Sequence, residues 1–163
     1  MVILGLDPGT ATTGFGVIKY ENTELSLLDY GCITTSKTLR LPERLTQIAA
    51  DLEEIVNLWK PDVIGIEEIF FSKNVKTAMS VAHSRGALMQ KLSSQGYKIF
   101  EYKPQQVKIA VCGHGKAEKI QVQKMVQLIL KMNQLPRPDD AADALAVAIC
   151  HANNAKYQHL LYA

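Results

Sequence analysis

The chain has 163 residues, with 18 Lys and Arg against 16 Asp and Glu, a formal net charge of +2 and 47% hydrophobic residues. That length and apolar content predict one domain, residues 1–163, with a sizeable core. No apolar run is long enough to cross a bilayer, and the start MVILGLDPG lacks the charged front of a secretory signal, so a cytoplasmic protein with no membrane partner is expected.

VILGLD, residues 2–7, reads as a short apolar strand ending in an acid, and PGTATTG after it as a turn of small residues. FGVIKYE and LSLLDYGCITT read as two further strands, which with the first could form an antiparallel meander. In ERLTQIAADLEEIVNLWK the apolar positions Leu45, Ile48, Ala49, Leu52, Ile55, Val56 and Trp59 share one helical face, and Lys60-Pro61 stops the helix. The run Val63 to Ile66 has the character of a buried central strand and ends at Glu67 and Glu68. A second helix is predicted over Asn74 to Ser93, closed by the turn at Gln95-Gly96. YKIFEY gives another strand, and a short helix runs from Lys103-Pro104 through Val111. GHG interrupts it, AEKIQVQKMVQLILKM is a third long amphipathic helix, and LPRP separates this from a final helix in DDAADALAVAICHANN. The order β-β-β-α-β-α-β-α-α-α describes an α/β fold, a mixed sheet covered by helices.

Charge is divided unevenly along the chain. Residues 1–70 hold 5 Lys/Arg against 11 Asp/Glu, whereas residues 71–131 hold 11 Lys/Arg against only Glu101 and Glu118. A basic segment of this kind attracts a polyanion. The cysteines Cys32, Cys112 and Cys150 are odd in number and widely spaced, which suits neither a disulfide framework nor a thiolate zinc site. His83, His114, His151 and His159 show no zinc-ligand spacing either.

The acids are the candidate chemistry. Asp7 and Glu67 each end a strand, and in an open α/β sheet ligand chemistry collects beyond the carboxyl ends of parallel strands. Asp140 and Asp143 are i,i+3 at the start of the last helix, on a face different from Ala141, Leu145, Ala148 and Ile149. Asp139 and Asp143 are i,i+4, so periodicity leaves Asp139 and Asp140 as alternatives. Strand alternation likewise leaves Glu67 or Glu68 as the inward residue. Carboxylates from two strand ends and a helix start form an all-oxygen site for Mg2+, or for Mn2+ in its place. Two such ions activate a water and stabilise the departing oxygen of a phosphodiester.

Four stretches, LGLDPGTATTGFGVI, IGIEEIFFSKN, EYKPQQVKIAVCGHGKAEKIQVQKMV and DDAADALAVAICH, together resemble the RuvC family of Holliday junction resolvases across nearly the whole chain. The resemblance implies a ribonuclease H-like fold with a five-stranded sheet and an acidic tetrad at Asp7, Glu67, Asp140 and Asp143, with Asp139 and Glu68 as neighbours. It implies a homodimer that cuts two opposing strands of a four-way DNA junction, with two metal ions per site, leaving 5′-phosphate and 3′-hydroxyl ends, and working alongside a branch-migration motor. Phe70 matches the family's base-stacking aromatic, and Lys108 and Lys119 its active-centre lysines. Lys116, Lys73, Lys76 and Arg85 extend the expected DNA contacts, and NVKTAMSVAHSRGALMQKL matches the dimer interface. His114 and Lys116 depart from the residues the family more often carries. Three other readings fit parts of the chain: an actin-like ATPase phosphate loop in DPGTATTGFG, a related nuclease acting on RNA, and a non-catalytic junction-binding module.

Overall fold

The computed structural model describes residues 1–69 and 75–161, with the side chains of 75–77 and 156–161 outside the description. Its elements follow the predicted order: β1 (Val2–Asp7), β2 (Thr12–Glu21), β3 (Glu24–Thr34), α1 (Leu41–Trp59), β4 (Val63–Glu67), α2 (Val75–Ser94), β5 (Ile99–Tyr102), α3 (Pro104–Cys112), α4 (Lys119–Ile129) and α5 (Asp139–Leu161). The sheet order is β3-β2-β1-β4-β5. β1, β2 and β3 pair antiparallel as the expected meander, while β4 and β5 join parallel to β1. This is a mixed five-stranded sheet with helices on both faces, as the sequence predicts. α4 is shorter than its amphipathic pattern, because the chain leaves helical geometry at Leu130 and Lys131 takes a positive φ of 53°.

Alternation along the strands divides the core in two. Ile3, Ile18 and Val63 pack with Val107, Val122, Val126 and the apolar residues of α5, whereas Leu4, Leu6, Val17, Ile64 and Ile66 pack with Ile48, Leu52, Leu88 and Leu92 of α1 and α2. The same alternation sends Gly5 and Asp7 to the α5 side with Ile3, and Gly65 and Glu67 with Val63.

Gly16, Gly5 and Gly65 stand opposite one another across three strands. This row lets α5 rest almost on the backbone of the sheet. A Cβ at Gly5 would stand 2.1 Å from the Ala144 carbonyl oxygen, one at Gly14 1.9 Å from that of Asp140, and one at Gly16 2.7 Å from the Leu145 side chain. The obstacles at Gly5 and Gly14 are backbone atoms, so no side-chain rotation relieves them. α5 suits the contact because Ala141, Ala142, Ala144, Ala146 and Ala148 keep its envelope narrow, and all five are fully buried.

Gly5→Ala is therefore expected to lower stability by about 2–4 kcal/mol, from overpacking against an unyielding backbone. Gly86→Ala, at an exposed position of α2 with nothing within 4 Å of the added carbon, is expected to raise it by about 0.5–1 kcal/mol. Urea unfolding midpoints check both, and a neutral Gly5→Ala would contradict the packing described.

Candidate nuclease centre

Pairing of β1 with β4 places Leu6 beside Ile66, so Asp7 and Glu67 follow side by side at the carboxyl ends of parallel neighbours. The glycine row brings the first turn of α5 over the same ends, adding Asp140 and Asp143. These carboxylates feel one another. Burial, then repulsion from Glu67, Asp143 and Asp140, pushes the Asp7 carboxyl up to about 8, against a smaller opposing pull from Lys119. Burial and then Asp143 push Glu67 up to about 7, offset in part by Lys119, Lys108 and a hydrogen bond with Asp7. Asp143 is also raised, chiefly by burial, despite its bond to Lys119.

A cleft of about 190 Å³ opens on this cluster, with Glu67, Asp143, Lys108 and Lys119 on its walls and Val107, Val122 and Ala146 behind them. Lys119, the first residue of α4, places Nζ 3.1 Å from Asp143 Oδ2 and 3.5 Å from Asp139 Oδ2. Burial works against the charge of this ammonium, but hydrogen bonds and attraction from Asp143 and Asp139 outweigh it and raise its pKa. Among the described residues, no three Asp, Glu, His or Cys side chains already close around one cation position. The acids are neighbours, Glu67 sharing a hydrogen bond with Asp7, and Lys119 supplies part of the charge compensation.

The donor set fits Mg2+ or Mn2+. It is all oxygen, it comes from rigid elements, and it contains half-buried carboxyls that a divalent charge would keep ionised. Asp7, Glu67, Asp140 and Asp143 would hold such an ion.

Asp140 and Asp143 are half-buried, whereas Asp139, in the first turn of α5, is exposed. Its Oδ1 accepts a 2.7 Å hydrogen bond from Gln123 Nε2, and that bond, followed by Lys119, lowers its pKa. Gln123 carries no sequence signal of this role beyond its i,i+4 relation to Lys119, which puts both on one face of α4. Lys108 also lines a neighbouring groove of about 350 Å³ with Lys103, Gln105 and Gly115, and Lys116 is exposed on the α3–α4 connection. Arg85 is elsewhere: it approaches from α2 on the opposite side of the sheet, bonded to the Glu67 carbonyl and the Glu101 carboxylate. Phe70 and Lys73, and the side chain of Lys76, lie outside the described residues. Of the histidines, His83 and His114 are exposed, while His151 is buried and bonds the Tyr102 hydroxyl through Nδ1 at 2.8 Å. The cysteines are free, and no helix among the described residues is long and apolar enough to cross a membrane.

The family model for crossover junction endodeoxyribonuclease RuvC matches residues 3–151. A crossover junction endodeoxyribonuclease RuvC from Ruminiclostridium cellulolyticum is 51% identical over 161 residues, covering 99% of this chain and 97% of its own. The solved structure of Thermus thermophilus RuvC superimposes with a TM-score of 0.89 at 35% identity, covering 97% of both chains. The T. thermophilus RuvC in complex with Holliday junction substrate gives 0.87 at 33% identity, covering 96% of both.

The raised carboxyls have a definite pH signature. Between about pH 4 and 8 the folded centre binds protons that the unfolded chain has lost, so its contribution to stability is full on the acid side and disappears as pH rises through 7–8. A cation competes with those protons and binds more tightly as pH rises. Thermal unfolding is therefore expected to show metal-free protein losing stability from pH 6 to 8.5 and a larger Mg2+ stabilisation at pH 8.5 than at pH 6. Asp7→Asn, which removes one buried charge, should raise metal-free stability at pH 8.5 by about 1–3 kcal/mol and abolish most of the Mg2+ effect. An Mg2+ shift independent of pH and of Asp7 would refute this assignment.

Proposed function

The chain belongs to the RuvC family of crossover junction endodeoxyribonucleases, and we propose that it resolves four-way DNA junctions by cutting two symmetric strands through metal-dependent phosphodiester hydrolysis. The observation that carries the reading is the convergence of Asp7 and Glu67, from parallel strand ends, with Asp140 and Asp143 beside a lysine-lined cleft. The T. thermophilus RuvC complex with Holliday junction substrate supports the choice of DNA.

Asp7, Glu67, Asp140 and Asp143 would hold Mg2+ or Mn2+, two ions with substrate bound. When bound, the metal supplies Lewis acidity toward the phosphodiester and its attacking water. The half-buried carboxylates would orient that site from strands and a helix, which fix position better than loops do. Asp7 and Glu67, both raised in the metal-free protein, must lose their protons to bind a cation, so activity is expected to fall on the acid side. Lys108 and Lys119 set positive charge on the cleft wall, where a phosphate oxygen gains most from it. Lys103, Lys116 and Lys124, the last exposed on α4, continue a basic track along the DNA backbone, with Phe70, Lys73 and Lys76 adding stacking and charge at the junction.

One centre cuts one strand, so paired cuts need a second centre. A two-fold homodimer supplies it, since equivalent sites then meet equivalent strands of a four-way junction. α2, whose Met79 is 52% exposed, is the helix we assign to that interface. The setting is the cytoplasm, with a branch-migration motor as a further partner.

A mobile four-way junction incubated with the parent protein and Mg2+ is expected to give symmetric nicks that ligase reseals, with none in chelator. Asp7→Asn and Asp143→Asn are expected to bind the junction and lose cleavage by at least about 10²-fold. Parent-level cleavage by both variants, or equal cutting of linear duplex or RNA, would defeat the reading.

A further inference from the structure

Glu67 ends β4, and the residue after Asp7 deprives it of a ladder partner. The amides of Ile64 and Glu68 donate to the Lys98 and Tyr102 carbonyls on the β5 side, at 3.0 and 2.8 Å. The odd-numbered residues of β4 therefore turn their backbone groups toward β1. In the register that sets Leu6 beside Ile66, the donor for the Glu67 carbonyl is the amide of residue 8. Residue 8 is Pro8, which has no N–H. The carbonyl would stand unpaired at the rim of the acidic cluster, a costly state wherever water is kept away.

Arg85 fills that gap. Its Nε donates to the Glu67 carbonyl oxygen at 3.2 Å, and its Nη2 pairs with the Glu101 carboxylate on β5. The side chain is only 17% exposed, and its guanidinium is fixed at both ends. The same helix reaches past the end of β1, where Thr10 Oγ1 donates to the Ser80 carbonyl and Ser80 Oγ donates to Thr10 Oγ1, both at 2.6 Å. α2 thus holds the chain just beyond Asp7 and directly at Glu67.

We infer that Arg85 is a positioning residue for the nuclease centre: it replaces the ladder donor that Pro8 cannot supply and so sets where Glu67 stands relative to Asp7. The inference rests on the metal-dependent nuclease reading above. It gives Arg85 a role other than the DNA contact expected from sequence, because the side chain is spent on the protein from the face opposite the carboxylates.

Arg85→Met keeps the apolar stem and removes the donors. Mn2+ affinity, measured from the spin-resonance signal of free Mn2+, is expected to fall about 10–100-fold, the usual consequence of losing a group that orients a metal ligand. The salt dependence of four-way junction binding in chelator is expected to match the parent, whereas loss of a phosphate contact would reduce its slope by about 1. Pro8→Ala returns an amide to the ladder, so the double variant regains part of the lost Mn2+ affinity. Glu101→Gln keeps an acceptor but loses the charge, and weakens Mn2+ in the same direction; it serves as the test if thermal unfolding shows that Arg85→Met does not fold. Unchanged Mn2+ affinity, a reduced salt slope or no recovery in the double variant would overturn the inference. A parent that binds no Mn2+ would overturn the functional reading with it, whereas a parent that binds Mn2+ as tightly as Arg85→Met overturns this inference alone.

Discussion

Everything at the acidic end depends on how closely α5 lies on the sheet. A helix normally stands off a strand surface by the depth of two side-chain layers. Here the row Gly16, Gly5 and Gly65 removes one layer and the alanines of α5 thin the other. The helix start then falls within electrostatic reach of the strand ends, and Asp140 and Asp143 join Asp7 and Glu67. The close approach also fixes the helix against sliding, because Gly14 and Gly5 face backbone oxygens that cannot step aside. The small residues and the acids are parts of one construction, the first making a surface on which the second can meet.

Meeting has an electrostatic cost. Burial and mutual repulsion raise Asp7, Glu67 and Asp143, so the folded chain carries a strained group of carboxyls that a cation relieves. Lys119 relieves it in part, shared between Asp143 and an Asp139 fixed by Gln123. A divalent ion on Asp143 would leave Asp139 as the remaining partner of that ammonium and so keep positive charge at the cleft wall. On the far side of the sheet, Arg85 and Ser80 hold the same two strand ends through backbone and hydroxyl groups. The centre is thus set from both faces, by α5 through packing and by α2 through hydrogen bonds.

The element order and the meander were legible because alternation and helical periodicity are local properties. So was the pairing of Asp7 with Glu67, given parallel neighbours. The choice of Glu67 over Glu68 rested in the sequence on the family resemblance alone, since strand alternation decides it only with the register that places Val63, Gly65 and Glu67 on the α5 side. Asp139 and Asp140 differ by only 100° on a helix, and burial separates them in the structure. Arg85 looked like any other cation of a basic segment. Its placement depends on a long-range match between α2, the end of β4 and an amide missing at Pro8, and nothing within its own stretch signals that. Gln123 was hidden for the same reason, its partner Asp139 being brought to it only by the chain reversal between α4 and α5.

The central claim is that packing of α5 on the glycine row gathers these four acids into one cation site. Anomalous X-ray scattering from crystals soaked in Mn2+ tests it most directly. The account predicts a peak beyond the ends of β1 and β4, with an oxygen of Asp7 and at least one of Glu67, Asp140 and Asp143 at about 2.0–2.3 Å. It also predicts Lys119 withdrawn from Asp143. Bound Mn2+ elsewhere on the molecule, with the four carboxylates left as they stand and Lys119 still on Asp143, would contradict it.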